Sequence, residues 1–142
     1  MLTQRSRYAL RAMLFLAEQP VTAPTAMNRI ATGATVPRKF LELILADLRD
    51  AGFLLSTRGK MGGYRLARAP HLISLGEIIR VIEGPLALVP CVSRTAYRAC
   101  NDCKDEATCA IRIAMSRVRD ETARILDGTS LADATATELA AA

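Results

Sequence analysis

Histidine is nearly missing from this sequence: His71 is the only one among 142 residues. A single imidazole leaves no workable Ser-His-Asp set, and neither a phosphate-cradling glycine loop nor a pair of carboxylates in an obvious cleft takes its place. Enzyme chemistry of those kinds is therefore not expected, and His71 reads as a surface residue. Long apolar runs are missing too. None reaches the ~18 residues that a membrane span requires. The N-terminal run is broken by Arg11 and ends at Glu18 without a small-residue cleavage site, so a secretory signal is not expected. Low-complexity segments are absent. Cysteine is scarce, four residues in all, and every one lies between Cys91 and Cys109.

The remainder is that of one ordinary domain: at 51% hydrophobic the chain can build a real core. Its net charge of +5 points toward a polyanionic partner without naming one. The expected compartment is the cytoplasm, with no membrane partner. There thiols stay reduced, and clustered cysteines bind metal or do redox work more often than they form structural disulfides. The segment CVSRTAYRACNDCKDEATC spaces them as C-x8-C-x2-C-x5-C. Its filler is Ser, Arg, Asn, Asp, Lys and Glu, which cannot build a core. Cys91, Cys100, Cys103 and Cys109 therefore read as one site of thiol chemistry.

Along the chain, Thr3 to Glu18 has Leu10, Met13, Leu14 and Ala17 at three- and four-residue steps and reads as a helix stopped by Pro20. Arg5, Arg7 and Arg11 near its start suit a phosphate or the solvent equally. A short helical segment, 26–31, follows, with Thr25 as its expected N-cap and Gly33 as its end. The strongest helical passage is ATVPRKFLELILADLRDAGFL. Thr35 is its expected cap, Pro37 suits the first turn, Gly52 stops it, and Phe40, Leu41, Ile44, Leu45 and Leu48 make the buried stripe. Arg38, Lys39 and Glu42 are left on the other side. Cations in a first turn oppose the helix dipole, a misfit that a phosphate or a base edge at this end would relieve.

Two short β-type runs, 53–56 and 63–67, flank the basic, glycine-containing turn 57–62 and read as a hairpin. Arg58, Gly59 and Lys60 lie in that turn and, with Arg65, suit a phosphate or minor-groove contact. Helices, a recognition-like helix and a basic hairpin in this order make a winged helix-turn-helix, a binder of double-stranded DNA. A further helix, 75–83, should turn Leu75, Ile78, Ile79 and Ile82 inward and end at Gly84-Pro85. Beyond the cysteines, 107–126 reads as a long helix striped by Ile111, Met115, Val118, Thr122 and Ile125. Asp127-Gly128 closes it, and a short helix over 129–139 with an Ala-rich, frayed tail follows. The stripe needs cover, and winged-helix proteins usually read two half-sites as symmetric dimers, so a homodimer interface is expected there. The expected fold is mainly α with a small β-hairpin: a DNA-binding domain (1–84), a cysteine loop (85–106) and a dimerisation helix with its tail (107–142).

The run VPRKFLELILADLRDAGFL, then STRGKMGGYRLAR, SLGEIIRVIEG, a cysteine cluster and a long helix resembles the bacterial regulator family that includes IscR, NsrR and RirA. Its sharpest parts are Phe40-Leu41-Glu42 and Arg58-Gly59-x-x-Gly62-Gly63-Tyr64. The resemblance implies a homodimeric transcription factor of repressor type whose cysteines hold an iron-sulfur cluster, 4Fe-4S or 2Fe-2S. Its DNA affinity would follow iron, cluster supply, redox state or nitric oxide. By the same resemblance, Glu42 matters for base discrimination, and Arg58 with its neighbouring glycines for the wing contact. Family members commonly use three cysteines, the last two five residues apart, as Cys103 and Cys109 are; Cys91 matches the first ligand and Cys100 is additional. Where some members place an acidic ligand in the first helix this chain has Arg7, and no histidine lies near Cys109. Two readings follow, three cysteines plus a non-cysteine ligand with Cys100 spare or ligation by all four cysteines, and the second is the expectation. A cluster-free regulator using structural zinc or a redox disulfide is the alternative that the Cys100-x2-Cys103 pair leaves open.

Overall fold

A computed structural model of the protein describes residues 2–142. Helix α1, Gln4–Ala17, starts where the Thr3 hydroxyl accepts the Ser6 N–H at 3.2 Å, a cap worth about 1 kcal/mol. The Glu83 carboxylate reinforces that end: it accepts the Thr3 N–H at 2.8 Å and the hydroxyls of Thr3 and Ser6. Negative charge there also suits the helix dipole. The buried face of α1 is Ser6, Ala9, Ala12, Met13 and Leu16, rotated from the expected stripe of Leu10, Met13, Leu14 and Ala17. Side-chain size explains the rotation. Ala9 and Ala12 are fully buried because small residues let neighbouring helices approach, while Leu10, Leu14 and Ala17 pack at the margin.

Helix α2, Met27–Ala34, runs past the expected end, and Gly33 lies inside it. Ala26, not Thr25, is its N-cap, without a side-chain bond. Thr35, expected to cap the next helix, closes this one in the left-handed conformation, φ 54°. Helix α3, Arg38–Asp50, therefore starts from Pro37 in the capping position. Leu41, Ile44, Leu45 and Leu48 are fully buried, as their spacing requires. Phe40 departs from the expectation: it is 46% exposed, its ring facing Tyr8 at 5.8 Å between centroids. One position before Leu41, it falls outside the arc that the core covers.

Strands β1, Leu54–Thr57, and β2, Gly63–Leu66, pair antiparallel in the register Leu54 to Leu66 and Ser56 to Tyr64. Thr25 then lies along the other side of β2, exchanging backbone bonds of 2.8 and 2.9 Å with Tyr64. This bridge ties the wing to the α1–α2 connection. It also explains why Thr25 does not cap α2.

A 3-10 turn, Pro70–Leu72, leads to α4, Leu75–Glu83, which opens with a capping box between Ser74 and Glu77 and buries Gly76, Ile78 and Ile79. Leu75 and Ile82 pack at the edge of the core. A second 3-10 turn, Pro90–Val92, buries Cys91 and Val92, and residues 93–109 run on without helix or strand. Helix α5, Ala110–Asp127, starts three residues later than expected because Cys109 is its N-cap. Helix α6, Leu131–Ala141, has its own capping box, Ser130 with Asp133. Its start is firmly held: Leu131 is fully buried in the main core, and α6 packs on α1. Backbone bonds of 2.9 Å from Leu75 N–H to the Thr129 carbonyl and from Leu131 N–H to the Ile73 carbonyl join the starts of α4 and α6. Among the described residues, no helix is long and apolar enough to cross a membrane.

Candidate DNA-reading surface and cysteine loop

The periodicity that buries one side of α3 sets Arg38, Lys39, Glu42 and Leu43 on its exposed sides. Arg38 Nη1 donates to Asn28 Oδ1 of α2 at 2.6 Å, and its Nε donates to Glu42 Oε1 at 3.3 Å. With side chains 58% and 55% exposed, this i,i+4 pair is worth only about 0.3–0.5 kcal/mol. Glu42 is thus steered toward the start of α3 yet free to exchange Arg38 for a stronger donor. Lys39 Nζ stands 4.8 Å above the Phe40 ring. Asn28 was not singled out in the sequence: a polar residue in the helix before a recognition-like helix gives no signal of its own.

In the wing, Arg58, Gly59 and Lys60 are exposed, and Gly59 adopts φ 104°. Neither Arg58 nor Lys60 joins an ion pair among the described residues. Arg65 is engaged, its Nη1 donating to the Val21 carbonyl at 3.3 Å. On α1, Arg5 pairs with Asp47 of α3, and Arg7 donates to Gln4. Arg5 therefore braces two helices.

The four cysteines differ in setting: Cys91 is buried, Cys109 half-buried, and Cys100 and Cys103 exposed. The loop folds back on its own start, where Arg98 N–H bonds the Pro90 carbonyl at 3.2 Å. The nearby Cys91 sulfur raises the Cys100 thiol above its ordinary value, with desolvation, a hydrogen bond to Cys91, and Cys103 adding to it. Cys103 is raised first by desolvation of its sulfur, although the residue as a whole is exposed, and then by Glu106, Cys109 and Cys91. The Cys100 and Cys103 sulfurs therefore lie within electrostatic reach of their neighbouring thiols, and that crowding favours their protonated form. Among the described residues, no three His, Cys, Asp or Glu side chains are gathered so that they could hold a metal ion. The all-sulfur chemistry fits iron or zinc.

Two contacts fix the far end of that loop. The Cys109 sulfur accepts the Arg112 N–H at 3.5 Å. The Tyr97 hydroxyl donates to Glu106, which lies 3.8 Å from Arg112 Nε. Helix α5 is anchored in turn by Arg119, whose Nη1 donates to the Val92 carbonyl at 2.6 Å, and by Asp127, which accepts from Arg80 Nη1 and Nη2 at 2.6 and 2.9 Å. The residue after Cys91 is thus tied to the middle of α5. No residue of α5 is buried. Ile111, Val118 and Ile125 are 67%, 41% and 54% exposed, and Met115 and Thr122 are half-buried. A groove lined by Leu2, Ile79, Leu86, Leu88, Val118 and Leu126 runs beside this stripe.

A helical core that presents α3 beside a two-stranded wing, with a long helix appended, defines a winged helix-turn-helix transcriptional regulator. The chain belongs to the Rrf2 family, described as iron-dependent transcriptional regulators, whose pattern matches residues 2–137. It is 45% identical over 136 residues to an rrf2-like HTH-type transcriptional regulator of Rhodobacter capsulatus, covering 94% of this chain and 91% of that protein. Similarity to the NsrR regulator of Geobacillus kaustophilus is 33% identity over 93% of this chain and 87% of NsrR. Among solved structures, CymR of Bacillus subtilis, described as the global cysteine regulator, superposes with a TM-score of 0.78 at 33% identity, covering 96% and 97% of the two chains. IscR of T. potens superposes with 0.76 at 28% identity, covering 97% and 88%. The relatives are regulators of transcription rather than enzymes, and so is this protein.

Proposed function

We propose that the protein is a homodimeric, cytoplasmic repressor that reads double-stranded DNA with α3 and the wing, its affinity set by an iron-sulfur cluster on the cysteine loop. Arg38, Lys39, Glu42, Arg58, Gly59 and Lys60 make the DNA contacts, and Cys91, Cys100, Cys103 and Cys109 are the ligands. The organisation is a DNA-binding part (1–84), a sensing loop (85–106) and a dimerisation part (107–142). The observation that carries the reading is the position of the thiols: Cys91 follows the winged core, Cys109 caps α5, and the other two lie on the irregular chain between. When bound, a cluster would supply a centre responsive to iron, oxidants and nitric oxide. Gathering the four thiolates would draw residues 93–109, which few apolar side chains hold in place, into a single tighter arrangement. It would thereby set α5 against the winged core and fix the spacing of the two α3 helices in the dimer. A hundredfold change in DNA affinity needs about 2.7 kcal/mol of coupling, within the usual range.

Anaerobic purification gives the first check: a cluster form is brown with broad visible absorption. Single Cys→Ala variants reconstituted without oxygen give the second. Each should lose the absorption, or its stability for Cys100, together with the change in DNA affinity between loaded and stripped protein. Four variants that regulate like the parent would sink the proposal. A colourless, zinc-containing or thiol-redox regulator is the second reading. It is favoured by the nearness of Cys100 to Cys91 and by the likeness to CymR, of which a Staphylococcus aureus structure with TM-score 0.70 and 27% identity is described as an oxidized form.

A further inference from the structure

Leu43 is 69% exposed, on the one face of α3 that the core does not use. At about 100° of turn per residue, Leu41, Ile44, Leu45 and Leu48 centre on one direction, and Leu43 lies within about 30° of its opposite. Lys39 precedes it by one turn and Ala46 follows by one, so the outermost line of the helix reads Lys39, Leu43, Ala46. Scattered exposed leucines are ordinary, but this one sits at the centre of a face whose first turn is cationic. Glu42, its neighbour, is drawn back toward Arg38. Leu43 is left as the most forward side chain in mid-helix.

We propose that Leu43 is a specificity-determining residue that reads a thymine by packing against its C5 methyl in the major groove. This inference rests on α3 being the DNA-reading helix. Among the bases, thymine alone carries a methyl group in that groove, and an apolar side chain is the group that selects it. A second copy of the chain fits the face less well: a symmetric contact there would bring Arg38 and Lys39 together with their own counterparts, whereas a duplex neutralises them. Glu42 and Leu43 then divide the work on adjacent positions, an acceptor for a cytosine amino group and an apolar surface for a methyl.

The test uses the tightest duplex that the parent protein selects from a randomised pool. Each thymine is replaced in turn by deoxyuridine, which keeps the base pair and removes only the methyl. At one thymine per half-site the parent should lose about fourfold in affinity, equivalent to the ~0.8 kcal/mol of one buried methyl-sized group. Leu43→Ala should bind the thymine and deoxyuridine duplexes equally, with unchanged thermal stability because the side chain lies outside the core. The inference is overturned if the parent is indifferent to every replacement, or if Leu43→Ala keeps the same loss. It also falls if Leu43→Ala leaves the replacement effect intact and changes the sedimentation of the free protein, since a protein surface would then cover the face. Glu42→Ala separates the two levels. If it alters the selected sequence while Leu43→Ala does not, only the Leu43 assignment fails; if neither does, α3 is not the reader.

Discussion

Adding one methyl at position 63 would probe how the wing is fastened. Gly63 has φ 155°, and a Cβ there would lie 2.0 Å from the Thr25 carbonyl oxygen, in the middle of the bridge that joins β2 to the α1–α2 connection. Gly63→Ala should lower stability by about 1–3 kcal/mol, the scale of a strained backbone residue. Denaturant melting reads the total, and faster amide exchange at Thr25 and Tyr64 would localise it; unchanged exchange at both amides would show that the bridge does not hold the wing. Glu42 calls for a different measurement. Its bond to Arg38 is exposed and weak, so Glu42→Ala should leave the fold alone while lowering discrimination between the selected and a scrambled duplex by about 1–3 kcal/mol. Competition binding on the two duplexes gives that ratio, and an unchanged ratio would remove Glu42 from the readout. At this scale the sequence was uneven evidence. The wing glycines stood out by composition, whereas the part played by Thr25 did not, because a backbone bridge leaves no mark on side-chain identity.

Helix α5 leaves much of its apolar stripe uncovered among the described residues, with Ile111 and Ile125 both more than half exposed. The proposed homodimer gives that stripe a partner. Val118 is 41% exposed beside the groove formed with α4 and the segment after it. A glutamate there would place an unpaired charge in an apolar contact. Val118→Glu should therefore sediment as a monomer, and affinity for the selected duplex should fall much more than the salt-sensitive background binding. A variant that remains dimeric would mean that the stripe meets something other than its symmetry mate. The stripe was readable because its period does not depend on what covers it. The start of α5 was not, since cysteine is an uncommon cap and the contact from Cys109 to Arg112 N–H is a weak sulfur bond. The buried face of α1 escaped for another reason: Ala9 and Ala12 carry the closest packing but weigh little in a hydrophobic pattern.

On the scale of the whole molecule, carboxylates fasten helix ends that are far apart in sequence. Glu83 at the end of α4 is lowered from the ordinary glutamate value because the Ser6 hydroxyl, then Thr3, donate to it across the start of α1. Asp127 at the end of α5 is lowered by the Arg80 guanidinium of α4, Glu77 by the Ser74 N–H at the start of α4, and Asp133 by the Ser130 N–H at the start of α6. The Glu83 and Asp127 pairings were not legible in the sequence, because each depends on which helix ends the fold brings together, whereas Ser74 with Glu77 and Ser130 with Asp133 are local capping boxes three residues apart. In every case the folded protein holds the proton less tightly than the unfolded chain does. The stabilisation is therefore complete above the unfolded values, ordinarily 4.5 for Glu and 3.8 for Asp, and is lost as pH falls through the folded ones. Thermal melting should accordingly be flat near neutrality and decline below about pH 4.5, as the unfolded carboxylates begin to bind protons. Glu83→Gln separates this linkage from general acid sensitivity: glutamine still accepts from Thr3 and Ser6 but cannot titrate. Its melting temperature should start lower at neutral pH, where the charge on α1 is missing, and fall less steeply on acidification. Parallel acid profiles for parent and variant would show that Glu83 does not couple α1 to α4 through its charge.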